Sequence, residues 1–286
     1  MTAQTGEEEA MNPITTDPAD QGLLEVRSTD GTSIAVWADG DGPPLVMVHG
    51  ALSDHTTDRP FIDELRGTVT TFALDRRGRG ASGDAPNYAI EREFEDVAAV
   101  VDAVAARTGQ AVSVWGHSYG ADVAMGAAGR TDNVARLVLY EPGLGFTCSD
   151  SVREAIEAVD AAVAAGDLEG ALFTALRGIV ELTEDEIALV RSSPAWPARL
   201  AAVPRMPREI SAEVDWAYQP GQFDAVNAPT LLLAGAESPP AQQEATERAA
   251  AAIPDARVCT LDGHSHIAHR VDPAMVAAIV CEFVAS

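Results

Sequence analysis

The sequence predicts an α/β fold: a mostly parallel eight-stranded sheet with helices on both faces and a long helical insertion between two of its strands. Three observations predict it. Short β-rich runs alternate with longer runs of helical spacing. The alternation fails once, from about Gly143 to Asn227, where helical patterns continue and no strand appears. The chain has 286 residues, 47% of them apolar, enough to bury a core on each side of such a sheet.

Taken in order, Leu23–Arg27 and Ser33–Trp37 read as an opening hairpin turned at Asp30 and Gly31. Leu45–Val48 is a buried strand running into His49-Gly50, and Val69–Leu74 is the next, ending at Asp75. Tyr88–Arg107 has helical spacing, with Phe94, Val97, Val100, Val101 and Val104 on one face. Ala111–Trp115 is a strand and Ser118–Gly129 a helix of small residues. Val134–Tyr140, Thr230–Leu233 and Ala256–Leu261 are strands, Ala241–Ala252 is a helix between the last two, and Pro273–Val284 closes the chain as a helix. Within the insertion, Val152–Ala165, Leu168–Val180 and Glu184–Arg191 are helical in pattern, followed by a stretch rich in Pro and Trp. A structureless loop of that length is improbable, so residues 143–227 are expected to form a helical cap over the core of 22–142 and 228–286. Residues 1–21, with Glu7, Glu8 and Glu9 in a row, read as a disordered acidic tail and not as a secretory signal.

Charge narrows the partners. Every one of the 19 basic residues is arginine, and 44 Asp and Glu bring the formal charge to −25. Phosphate binding requires a basic face, so nucleic acid is not an expected partner. No run approaches the length of a membrane span. Cys148, Cys259 and Cys281 are odd in number, have no metal-ligand spacing and read as buried thiols, which suits a reducing, cytoplasmic compartment.

Chemistry enters at Trp115-Gly116-His117-Ser118-Tyr119-Gly120, a G-x-S-x-G motif that follows a strand and opens a helix. Its glycines permit a sharp strand-to-helix turn that lifts the Ser118 hydroxyl above the sheet edge. The helix N-terminus behind it offers free N–H groups to a developing oxyanion.

With this elbow the chain resembles the α/β-hydrolase superfamily, over roughly Leu23 to Val284 outside the insertion. Val46-Met47-Val48-His49-Gly50-Ala51 resembles the strand and His-Gly turn of that family, and Asp75-Arg76-Arg77-Gly78-Arg79-Gly80-Ala81-Ser82 its D-x-R-G-x-G-x-S turn, read here as scaffolding. Leu261-Asp262-Gly263-His264-Ser265-His266 resembles its G-x-x-H loop. The resemblance implies Ser118 as nucleophile and Ala51 and Tyr119 as backbone donors of the oxyanion hole. It selects His266, ahead of His264 and His269, as general base.

The acid of the triad departs from the family pattern. In Leu231-Leu232-Leu233-Ala234-Gly235-Ala236-Glu237-Ser238-Pro239 the usual Asp position holds Ser238, with Glu237 beside it. Glu141, 23 residues beyond Ser118, stands at the end of the strand after the nucleophile helix. Some family members, haloalkane dehalogenases and zearalenone-type lactonases among them, carry a Glu there as the acid. Both carboxylates remain candidates, and the missing Asp favours Glu141.

Ser at the elbow, where dehalogenases and epoxide hydrolases have Asp, directs the expectation to acyl transfer: hydrolysis of a carboxylic ester or lactone of a small apolar substrate through an acyl-enzyme. Hydrolysis of a C–C bond, or perhydrolysis, is the alternative within the fold. A ligand receptor on the same scaffold is the alternative of another class, disfavoured by the retention of both Ser118 and His266. No metal or organic cofactor is expected. Phe146, Phe173, Leu176, Trp196, Leu200, Met206 and Trp216 either line an apolar pocket or pack the insertion on itself.

Overall fold

A computed structural model describes residues 22–144, 149–216 and 218–286. Strands β1 (Leu23–Arg27), β2 (Ser33–Asp39) and β3 (Pro44–Val48) come first. Helix α1 (Arg59–Leu65), β4 (Thr70–Leu74), α2 (Ile90–Thr108), β5 (Val112–His117), α3 (Tyr119–Ala128) and β6 (Val134–Tyr140) follow. Then come five helices, α4 (Asp150–Ala164), α5 (Leu168–Gly178), α6 (Glu184–Ser192), α7 (Trp196–Ala202) and α8 (Met206–Asp215). A 3-10 turn at Val203–Arg205 joins the last two. The sheet resumes with β7 (Thr230–Gly235), α9 (Pro240–Ala252) and β8 (Ala256–Leu261), and the chain ends in α10 (Ala268–Val271) and α11 (Pro273–Ala285).

The eight strands lie in the order β1-β2-β4-β3-β5-β6-β7-β8. The pairs β1–β2 and β2–β4 are antiparallel, and every later pair is parallel. Parallel strands covered on both faces become apolar throughout, and the inner strands obey. In β3, Val46 and Val48 join the core under α2 and α3, while Leu45 and Met47 join the opposite core under α1 and α11. In β6, Leu137 and Leu139 divide from Val138 and Tyr140 in the same way.

Helix α2 turns the expected face inward: Phe94, Val97, Val100, Val101 and Val104 are each at most 1% exposed. Burial of that kind stabilises by about 1.5–3 kcal/mol per large side chain. Gly109, at φ 68°, ends the helix by donating its N–H to the Ala105 carbonyl, a left-handed cap that glycine adopts without a Cβ clash.

Four helices were not legible as such: α1, α7, α8 and the single turn α10. For α7 and α8 the reason is proline. Pro197 and Pro207 sit in the first turn of their helices, where the missing N–H has no intrahelical acceptor to lose. A second difference concerns Cys259 and Cys281, which are free but half-buried, not buried. The expected tail of 1–21, and also Phe146 and Cys148, lie outside the described residues. No strand occurs among the described residues of 143–227. No described helix is long and apolar enough to cross a membrane.

Candidate active site

Strand β5 ends at His117, and Ser118 caps α3 with φ 56° and ψ −132°. A non-glycine residue in that conformation carries strain of about 1–3 kcal/mol and persists only where its surroundings hold it. They do so through close packing. A Cβ on Gly120 would stand 2.4 Å from the carbonyl oxygens of Val48 and His49, and one on Gly116 2.5 Å from the carbonyl of Gly120. The Ser118 N–H donates to the Tyr140 carbonyl at 2.8 Å, locking the elbow to β6.

The neighbouring strand end is strained too. Glu141 is fully buried at φ 48°, and its N–H donates to the Leu233 carbonyl on β7. Its Oε1 accepts the Gly235 N–H at 2.7 Å, and its Oε2 lies 2.6 Å from Nδ1 of His266. A carboxylate only accepts, so Nδ1 of His266 carries the proton and Nε2 is left with its lone pair. The loop that bears His266 is pinned from below. Nε2 of His117 meets the His266 carbonyl at 2.9 Å, the Tyr140 hydroxyl donates to the Ser265 carbonyl, and the Ala268 N–H donates to that hydroxyl at 3.0 Å. Burial, with the nearby His269 and His266, holds the His117 pKa well below the usual histidine range, so its ring is a neutral prop.

Glu237 is exposed and contributes only its backbone, donating to the His264 carbonyl at 2.9 Å. Ser238, at the family's usual acid position, is buried with its hydroxyl unpartnered among the described residues. The structure thus brings Glu141 to His266 and leaves Glu237 outside.

Ser118, His266, Glu141, Ala51 and Tyr119 all border one cavity enclosing about 820 Å³ of empty space, part of it open to solvent. Tyr119 is the first residue of α3, so helix geometry leaves its N–H without an intrahelical acceptor. Gly50 lets the loop before Ala51 lie close: a Cβ there would be 3.3 Å from Ser118 Cβ.

The arginine-rich turn after β4 is scaffolding, as expected, but through distant partners. Asp75 accepts from the His55 N–H and from the Ala81 N–H, while Arg77 forms a two-bonded pair with Asp96 at 2.7 Å. Arg76 pairs with Glu93 on α2 and with Glu209 on α8, and Arg79 also pairs with Glu209. This network fastens α8 to the sheet. Asp54, His55 and Asp75 bring ligand atoms within 4.8 Å of one another, away from the cavity that holds Ser118.

Helices α5 to α8 and the turn between α5 and α6 supply most of the apolar wall of the cavity, with Gln242 and Arg270 beside them. Of the aromatic and apolar residues singled out in the insertion, Leu176 and Met206 line it. Phe173 and Trp196 meet with their rings tilted by 44°, and Trp216 packs edge-on against Phe94 and Phe223. Two polar features were missed, through Glu213 and Arg199 on the cavity wall. One is a carboxyl pair: burial pushes Asp122 up to about 7, and burial together with Asp122 raises Glu213 well above the carboxylate range. The pair therefore retains a proton at neutral pH. The other is Arg199, 3% exposed, on the cavity wall. A lone Arg among prolines has no sequence pattern that marks it. Glu213 has none either.

Comparison with known proteins bears on the fold. The sequence model of the Alpha/beta hydrolase family matches residues 45–279. A 2-(acetamidomethylene)succinate hydrolase from Mesorhizobium japonicum is 26% identical, over 86% of this chain and 89% of its own. Among solved structures, an alpha/beta hydrolase from Sphaerobacter thermophilus is 33% identical with a TM-score of 0.75, covering 91% of this chain and 99% of that one. An esterase from Rhodococcus, 24% identical, also superposes with a TM-score of 0.75, over 93% and 99% of the two chains.

Proposed function

The chain belongs to the alpha/beta hydrolase family, and from that premise we propose that it hydrolyses a carboxylic ester or lactone through a Ser118–His266–Glu141 triad. In this reading residues 22–142 and 228–286 form the catalytic core and 143–227 a helical cap. The observation that carries it is the 2.6 Å contact of Glu141 Oε2 with His266 Nδ1 on the wall that also bears Ser118.

The chemistry follows from that tautomer. Nε2 of His266 takes the proton of the Ser118 hydroxyl as Oγ attacks the acyl carbon, and Glu141 stabilises the imidazolium that forms. The carbonyl oxygen becomes an oxyanion, which the backbone N–H groups of Ala51 and Tyr119 receive. Its collapse breaks the bond to the alcohol, which leaves with the proton from His266. Water then attacks the acyl-enzyme with His266 again as base, releasing the acid and restoring Ser118. Every step uses groups of the chain and one water.

The Mesorhizobium relative, named for an acetamidomethylene substrate, favours a second reading, hydrolysis at a bond other than an ester's, such as a C–C bond. Pre-steady-state kinetics with p-nitrophenyl butyrate test the first. The acyl-enzyme route predicts a burst of nitrophenolate of about one equivalent per enzyme when deacylation is the slower step. Ester turnover that persists after replacement of Ser118 would sink it.

A further inference from the structure

Arg199 enters the cavity from α7, and its guanidinium is almost entirely buried. Its hydrogen bond runs from Nη1 to the Leu52 carbonyl at 3.0 Å; among the described residues Nε has no partner and no ion pair includes the side chain. The other arginine of this wall, Arg270, is compensated: Asp58 Oδ1 lies 3.0 Å from its Nε and 2.9 Å from its Nη2. Asp58 is committed there. Burial alone would raise its carboxyl, but Arg270 and His269 more than offset this and hold it well below the usual range. His269, which faces the same carboxylate, is drawn down by burial to about 4 and is neutral. Arg199 thus leaves this end of the cavity with one positive charge over.

Elsewhere the chain does not behave so. Buried Arg76, Arg77 and Arg79 each meet a carboxylate. With 44 acidic residues to 19 basic ones, carboxylates were plentiful, yet Asp58 and Asp54 act on Arg199 only from beyond salt-bridge distance. A buried guanidinium without an anion is strongly unfavourable. Burial, with the nearby Arg270, pushes its pKa well below the usual arginine value against the pull of Asp58 and Asp54, while a guanidinium is in effect always protonated in proteins.

We propose that Arg199 recognises an anionic substrate: an ester or lactone that carries a second, ionised carboxyl group, seated against the guanidinium beside the oxyanion loop. The proposal rests on the hydrolase reading for what is cleaved, and on Arg199 alone for what is bound. Leu52, which the guanidinium holds, directly follows Ala51, and consecutive Cα atoms lie about 3.8 Å apart. The carboxylate and the reacting carbonyl therefore belong to one short molecule, of the kind a half-ester of a C4–C6 dicarboxylic acid provides. The competing role for Arg199 is a strap from α7 to the loop, which needs a donor but no charge.

Two probes of matched shape separate these roles: p-nitrophenyl hemiglutarate, which ends in a carboxylate, and p-nitrophenyl 5-methylhexanoate, which ends in an isopropyl group. The wild-type protein is expected to prefer the anionic ester by at least about tenfold in kcat/KM. Arg199→Gln keeps a donor for Leu52 and removes the charge, and it should shrink that preference by at least about tenfold, with Arg199→Lys restoring part of it. A preference for the neutral ester, or a ratio that Arg199→Gln leaves unchanged, would overturn the proposal. Calorimetric titration of glutarate into Ser118→Ala protein reads the anion site without catalysis. Glutarate should bind, and adding Arg199→Gln should abolish binding. Turnover of the neutral ester without glutarate binding refutes the anion site alone. Glutarate binding without turnover of any ester refutes the hydrolase reading alone.

Discussion

The cavity has a floor and a roof that are built on different terms. The floor, from the ends of β3, β5 and β6 and the loop after β8, is strained, and its carboxylate is fully engaged. Ser118 and Glu141 hold two of the three positive-φ non-glycine conformations among the described residues. Both oxygens of Glu141 are occupied. The roof, from α5 to α8, is relaxed helix that presents Leu176, Met206 and Ile210 together with polar groups left incompletely paired. The third positive-φ residue, Glu181, lies in the roof, between the cavity-lining Val180 and Leu182. Strained, over-determined side chains suit bond making, and incompletely paired ones suit selection of what enters. The floor is expected to fix the reaction and the roof the substrate.

The sharpest way to break that division is at Ser118. Ser118→Ala should lower kcat by several orders of magnitude, on the order of a million-fold in the best-studied serine hydrolase, with circular dichroism and Tm near wild type. Retention of more than about a tenth of the activity would remove the floor from the chemistry.

Glu141→Gln tests the floor one shell further out. It should cost at least roughly a hundredfold in kcat, because an amide at Oε2 no longer stabilises the imidazolium of His266. A loss below about threefold would make the short contact a structural one.

The carboxyl pair that joins α3 to the roof, Asp122 with Glu213, makes a prediction about pH. A carboxyl whose pKa rises on folding stabilises the protein fully below its unfolded value, about 3.9, and that stabilisation is lost as pH climbs to the folded value. For Asp122 the folded value is about 7. Tm should therefore fall from pH 5 to pH 8, and Asp122→Asn, which keeps an acceptor for the Gly143 N–H, should make that fall smaller. An identical fall in the variant would show that Asp122 holds no proton.

The smallest expected effect is at Glu237. Exposed and bound only through its backbone, it should tolerate Glu237→Gln within about threefold in kcat/KM. A loss like that of Glu141→Gln would exchange the two carboxylates.

The same division explains what the sequence disclosed. Inner strands buried on both faces announce themselves as apolar runs, and the half-exposed edge strands β1 and β8 were legible beside them, so all eight could be read, three with the bounds observed: Leu23–Arg27, Val134–Tyr140 and Ala256–Leu261. The elbow is local, six consecutive residues, and so was Ser118. The choice between Glu141 and Glu237 was not local. It depends on Glu141 adopting φ 48° and on Gly235 lying close enough to donate to it, facts of three strands together. In the roof, Pro197 and Pro207 disguised two helix starts as loops. The couplings of Arg76 and Arg79 to Glu209, about 130 residues away, and of Arg199 to Leu52 leave no periodic trace.

The central claim is that Ser118 is a nucleophile activated by His266. A fluorophosphonate probe followed by mass-spectrometric mapping of the adduct tests it most directly, because the probe needs an activated serine and no knowledge of the substrate. One adduct per chain, on Ser118, is expected, with labelling slowed at least roughly a hundredfold in His266→Ala. Labelling at another serine, or equal labelling of Ser118 in that variant, would contradict it.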